Sequence, residues 1–140
     1  MFITSIGITI ISNTLYHIIQ KLTPANAHPM LSLAATYLAA TLLCLAFLPL
    51  FPLETDWIQS IRELNWTCLA LGVAIVGLEL GFLLAYRSGW KISTGGLVSN
   101  VSVSMLLLPV GLLFFSEKLS PTNLIGVATC ILGLVLVNWH

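Results

Sequence analysis

Charge is so sparse in this sequence that long apolar stretches run uninterrupted between the few charged positions, and this limits the fold more than any other feature. The first charged residue is Lys21 and the next is Glu54. Only 7% of the 140 residues are charged while 58% are hydrophobic, whereas a soluble domain carries about a quarter charged residues. A water-facing surface cannot be built from so few charges, so lipid must be the outer solvent. A helix of about 20 residues crosses the hydrocarbon with its own backbone satisfied. The sequence therefore predicts an all-α membrane protein.

Clusters of charge and turn residues place five transmembrane helices, at about 2–20, 29–51, 66–86, 93–115 and 121–137. Lys21 and the turn Thr23-Pro24-Ala25-Asn26 close the first. Pro29 suits the first turn of the second, which Pro49 and Pro52 end. Arg87 ends the third, and Glu117-Lys118 form the short loop before the fifth. Ser120-Pro121 then supplies an N-cap residue followed by a first-turn proline. Trp66, Trp90 and Trp139 fall at span ends and Trp57 in a loop, as indole's preference for the headgroup level requires.

Between the second and third spans, Trp57, Ile58, Ile61 and Leu64 share one helical face, with Asp56, Gln59, Arg62 and Glu63 mostly opposite. A short helix on the membrane surface and an irregular loop both fit this pattern. Residues 1–140 read as a single transmembrane domain, without repeats or linkers. The N-terminus lacks the basic region and small-residue cleavage site of a signal peptide, so the first helix is expected to stay in the protein.

Five basic residues balance five acidic ones, which argues against a nucleic-acid partner. Cys44, Cys68 and Cys130 have no disulfide or zinc spacing, and His17, His28 and His140 are scattered, so no metal is expected. Phosphate-binding glycine loops, HExxH, CxxC and GxSxG motifs are missing. Neither a cofactor nor enzymatic activity is predicted. With five spans, Lys21, Arg87 and Lys91 face one side and Arg62 and Lys118 the other. So small a bias fits a weak preference for an outside N-terminus, or insertion both ways as an antiparallel dimer.

Glu79, in Gly77-Leu78-Glu79-Leu80-Gly81, is the acid placed well inside a span. A carboxylate at membrane depth costs at least about 2.5 kcal/mol, so it normally faces a cavity or a partner. It is the prime candidate for a proton carrier or cation site, with a purely structural hydrogen bond as the alternative. In the first span Asn13, Tyr16, His17 and Gln20 extend a line begun by Ser5 and Thr9. That line suits a wet cavity or a polar helix–helix seam. Ser93, Gly96, Asn100 and Ser104 form a rougher stripe in the fourth span, where Pro109 is a hinge candidate. Gly77 with Gly81, and Gly126 with Gly133, mark helix-packing surfaces.

Residues 81–137 carry a family resemblance, through Tyr86-Arg87, a long fourth helix interrupted by Pro109-Val110, and Ser116-Glu117-Lys118-Leu119-Ser120-Pro121. It continues through Asn123-Leu124-Ile125-Gly126 and Ile131-Leu132-Gly133-Leu134. This stretch resembles the EamA-like repeat of the drug/metabolite transporter superfamily. The resemblance implies a five-helix half of a ten-helix inverted-repeat transporter, which would need a second copy or a related half as partner. Related small multidrug exporters couple substrate to protons through an acid in the first helix. Here that helix has Asn13 and His17, and the acid lies in the third.

The expectation is a multi-pass protein of the cytoplasmic membrane, working as a homodimer or a heterodimer. Its leading reading is a proton-coupled secondary transporter of small organic metabolites or cationic drugs. Glu79 would exchange a proton or meet substrate, with Asn13, Tyr16, His17, Gln20 and Asn100 lining the path. A non-transporting scaffold subunit and a lipid flippase component are the alternatives.

Overall fold

The computed structural model describes residues 2–51, 56–116 and 120–137. Six α-helices follow one another: α1 (Phe2–Leu22), α2 (Pro29–Phe47), α3 (Trp57–Glu63), α4 (Trp66–Arg87), α5 (Ile92–Phe114) and α6 (Pro121–Val137). A 3-10 turn, Leu48–Leu50, extends α2. No strand occurs among the described residues. The chain is an all-α membrane protein: Pro29–Leu50, Trp66–Arg87 and Ile92–Phe114 are each long and apolar enough to cross a bilayer.

Each predicted span range overlaps a helix, three of which are long and apolar enough to cross a bilayer, and the ends have local causes. Pro29 opens α2 behind an extended His28. The Asn65 side chain caps α4 by accepting the Thr67 amide at 2.9 Å, which satisfies one of the donors that a helix start leaves over. Ser120 Oγ accepts the Asn123 amide at 3.2 Å at the head of α6. Helix α4 ends where the Ser88 amide returns to the Leu84 oxygen at 2.9 Å and Gly89 takes φ +104°, a left-handed conformation that favours glycine at this position.

Two boundaries differ from the sequence expectation. Helix α2 stops at Phe47 rather than near 51, because Pro49 tightens the chain into the 3-10 turn. Helix α1 runs on through Leu22, past Lys21. Of the two readings for the segment before the third span, the helical one is found as α3, with Trp57, Ile58 and Ile61 exposed. Pro52, Glu117, Lys118, Leu119 and Trp139, which carried parts of the sequence reading, lie outside the described residues.

The chain forms two compact units, one of residues 18–88 and one of residues 1–17 with 89–140. In the first, α2 packs on α4, and in the second α5 packs on α6. Large apolar side chains such as Leu69, Val73, Leu106 and Leu113 point outward, as lipid-facing residues do. Six span hydroxyls serve themselves: Thr9, Thr14, Thr36, Thr41, Ser104 and Thr129 each donate to the carbonyl four residues back. A hydroxyl satisfied in this way can face hydrocarbon without water.

Candidate functional site

In the 18–88 unit, the covered face of α4 runs through Glu79, Leu83 and Tyr86, spaced as helical neighbours. Leu83 (1% exposed), Tyr86 (4%) and Leu33 of α2 (4%) form the buried apolar contact. One turn beyond Leu33, Tyr37 lies close enough to Glu79 for the two side chains to interact. The Tyr37 hydroxyl is buried without completing a hydrogen bond, and Glu79 is itself half-buried.

The end of α1 is tied to α4 by two long polar side chains. Gln20 Nε2 donates to the main-chain oxygen of Glu79 at 2.9 Å, so the predicted site residue holds the backbone of the acid rather than its carboxyl. Lys21 Nζ donates to the Tyr86 oxygen at 3.0 Å and lies 5.6 Å from the centre of the Tyr86 ring. Phe82 stacks on the same ring at 5.9 Å. The last carbonyls of a helix have no partner within it and carry partial negative charge, so an ammonium is well placed there. Arg87 Nη2 in turn donates to the Pro24 oxygen at 3.0 Å and holds the α1–α2 turn.

These bonds leave an unusual charge balance around Glu79. The basic residues of α1 and α4 are Lys21 and Arg87, both bonded to main-chain oxygens, and α2 has none. Among the described residues no cation pairs with the Glu79 carboxyl. It is a half-covered acceptor beside a phenol.

The other unit holds the second set of predicted residues. His17 is buried (7% exposed) against Gly96, where an added Cβ would lie 3.5 Å from its Nε2. The missing side chain at 96 lets the imidazole settle on the α5 backbone, and a bulky residue there would push it away. Tyr16 meets the His17 ring edge-on at 5.2 Å. Asn13 faces outward, and Thr9 is satisfied on the Ser5 oxygen at 3.1 Å. The polar line in α1 is therefore not one uniform wall: its early hydroxyls need nothing, while His17 is covered.

Asn100 is exposed and lines, with Ser104, Thr122, Asn123 and Gly126, a groove of about 460 Å3 between α5 and α6. Helix α5 runs unbroken through Pro109, so the proline removes a hydrogen bond without ending the helix. A Cβ added at Gly77, Gly81, Gly126 or Gly133 would meet nothing within 4 Å. Gly77 and Gly81 sit two residues to either side of Glu79, about 200° around the helix. They therefore lie on the side of α4 turned away from Tyr37. No group of His, Cys, Asp and Glu among the described residues could hold a metal ion.

Sequence reasoning missed Tyr37, Tyr86 and the bonding role of Lys21. A phenol in mid-span was the available signal for Tyr37, since its hydroxyl seeks a partner when buried.

No protein-family model matches the chain, and no solved structure matches it. Among curated proteins it is similar to the probable 4-amino-4-deoxy-L-arabinose-phosphoundecaprenol flippase subunit ArnE of Yersinia pseudotuberculosis serotype O:1b (strain IP 31758). The two are 34% identical over 80 residues, which cover 56% of this chain and 70% of that protein. The protein described in the same words from Yersinia pestis (strain Pestoides F) is 32% identical over 80 residues, with the same shares covered. With that identity extending over more than two thirds of its relatives' length, this multi-pass membrane chain belongs to the family of the ArnE flippase subunits.

Proposed function

We propose that this chain is one subunit of a flippase that carries a polyprenyl-phosphate-linked amino sugar across the cytoplasmic membrane. The observation that carries the reading is the similarity to ArnE subunits, 34% identical across 70% of that protein's length. The structure adds three supports. Its helices place a carboxylate, Glu79, inside the apolar span Trp66–Arg87 with no cation of its own beside it. Asn13 and Asn100 leave exposed amides in α1 and α5, and such groups are costly against lipid. Gly77, Gly81, Gly126 and Gly133 are among the glycines with open space around them.

The last two features call for a second subunit. Small residues let helices approach closely in lipid, and amides bond across such seams. A heterodimer with a related half-transporter fits relatives that are themselves named subunits. The EamA-like resemblance of 81–137 belongs to this proposal, as does the absence of chemical conversion: the complex moves its lipid and does not alter it. An antiparallel homodimer is the other arrangement, and C-terminal reporter fusions distinguish them. Reporters on both sides of the membrane support dual insertion, and reporters on one side support a heterodimer of fixed orientation.

The test is lipid movement in proteoliposomes carrying the chain with the partner that co-purifies from its own membrane. An amine-reactive reagent that cannot cross the bilayer labels 4-amino-4-deoxy-L-arabinose-phosphoundecaprenol only in the outer leaflet. The fraction labelled should rise with time in the presence of the complex and stay near half without it. Flux of a soluble organic cation, with no lipid movement, would instead favour a proton-coupled transporter built on the same Glu79. An absence of both, with an unrelated protein co-purifying, would favour a scaffold subunit.

A further inference from the structure

We propose that Glu79, with Tyr37 beside it, is the specificity-determining site for a primary ammonium group on the transported molecule. This rests on reading the chain as a flippase subunit and assigns the part of the ligand that one of its carboxylates would meet.

A carboxylate in a span must find a counterpart, because its charge is expensive in hydrocarbon. The two cations of α1 and α4 are bonded to main-chain oxygens: Lys21 to that of Tyr86 and Arg87 to that of Pro24. Gln20, which comes close in the same unit, bonds the main-chain oxygen of Glu79. What lies within reach of the carboxyl is the Tyr37 side chain, its hydroxyl buried and short of a completed hydrogen bond. Leu33 and Leu83 fill the space one turn away on each helix.

The donors and acceptors of this pair match an ammonium. A –NH3+ group carries three donors, of which a carboxylate accepts two while a phenol oxygen offers a lone pair to the third. Charge-assisted bonds of this kind are stronger than those a neutral hydroxyl or amide could make in the same place. The pair would therefore favour an amine-bearing headgroup over a neutral one on the same lipid. The uncovered Gly77 and Gly81 lie on the opposite side of α4, so a second helix can approach that side without covering the carboxyl.

The experiment compares two lipids in the reconstituted complex, 4-amino-4-deoxy-L-arabinose-phosphoundecaprenol and its N-acetyl derivative, in which the charge is removed. The quantity read is the ratio of their rates of movement, which is insensitive to how much protein is folded. Both lipids are followed by an impermeant diol-cleaving reagent, because the N-acetyl lipid has no amine to label. The unmodified complex should prefer the amine, and Glu79→Gln should lower the ratio by roughly 10- to 100-fold. Glu79→Asp, which keeps the charge, should restore much of it, and Tyr37→Phe should lower it only a few-fold. A ratio unchanged in Glu79→Gln, or no preference in the unmodified complex, would overturn the assignment.

If neither lipid moves, the flippase reading fails, and the site is judged by binding of the methyl glycoside of the free amino sugar. At least tenfold weaker binding to Glu79→Gln supports the site on its own. Equal binding overturns it.

Discussion

The two compact units of this chain treat their polar residues in opposite ways. In residues 18–88 three long polar side chains bond main-chain oxygens of the same unit: Gln20 that of Glu79, Lys21 that of Tyr86 at the end of α4, and Arg87 that of Pro24. The unit of residues 1–17 and 89–140 leaves Asn13 and Asn100 outward, a mostly apolar groove between α5 and α6, and open space at Gly126 and Gly133. One unit spends its hydrogen-bonding capacity on holding itself together around Glu79. The other keeps small and polar surface available, which under the proposed function is where a second subunit would meet it.

Breaking the first unit should cost the most. Leu83 is its most buried side chain, and Leu83→Ala should destabilise the protein by about 2 kcal/mol, measured by unfolding in mixed micelles. The loss sits at the low end for core truncations because lipid is as apolar as the core, leaving mainly the packing term. Lys21→Ala should follow at about 1.5 kcal/mol, since it removes a charged donor from the C-terminal carbonyls of α4. Lys21→Arg should recover part of that stability.

The second unit should respond differently. Gly126→Leu combined with Gly133→Leu should leave the chain's own unfolding almost unchanged, because no described residue lies within 4 Å of a Cβ added at either position. The same variant should reduce recovery of the partner subunit at least about tenfold in affinity purification, as expected when bulky side chains hold two helices apart. Normal recovery would show that the open glycines are simply lipid-facing and would remove half of the contrast. The smallest effect belongs to Thr9→Val. Its hydroxyl is satisfied on the Ser5 oxygen, so both unfolding and lipid movement should stay within about 0.5 kcal/mol of the unmodified protein.

The contrast also separates what was legible in the sequence from what was not. Helix positions follow from charge scarcity, caps and prolines, signals that act over a few residues. Pro29, Ser120-Pro121 and the face shared by Trp57, Ile58 and Ile61 each lead to the helix observed. Pairings across the fold carry no such local mark. Nothing in sequence links Tyr37 to Glu79, and Gln20 meets a main-chain oxygen, an acceptor that every residue possesses. Lys21 read as a boundary charge because its partner, the carbonyl of Tyr86, is fixed only once α1 and α4 come together.

The polar line of α1 was legible as a pattern but ambiguous in purpose. Six hydroxyls in the spans close on the carbonyl four residues back, so counting polar residues overstates how wet a helix face must be. Residues that cannot serve themselves in this way, such as Asn13, His17 and Gln20, carry the information. The structure covers His17 and Gln20 and leaves Asn13 outward.

Water access to Glu79 is the most direct test of these ideas. In a background with Cys44, Cys68 and Cys130 replaced by alanine, Glu79→Cys, Tyr37→Cys and Leu69→Cys would be exposed to a water-soluble cationic methanethiosulfonate in intact membranes. Positions 79 and 37 should react quickly and position 69, an exposed apolar residue of α4, slowly. Reaction at 79 as slow as at 69, with labelling only by a bilayer-soluble maleimide, would place the carboxyl against lipid and contradict its proposed role as a ligand site.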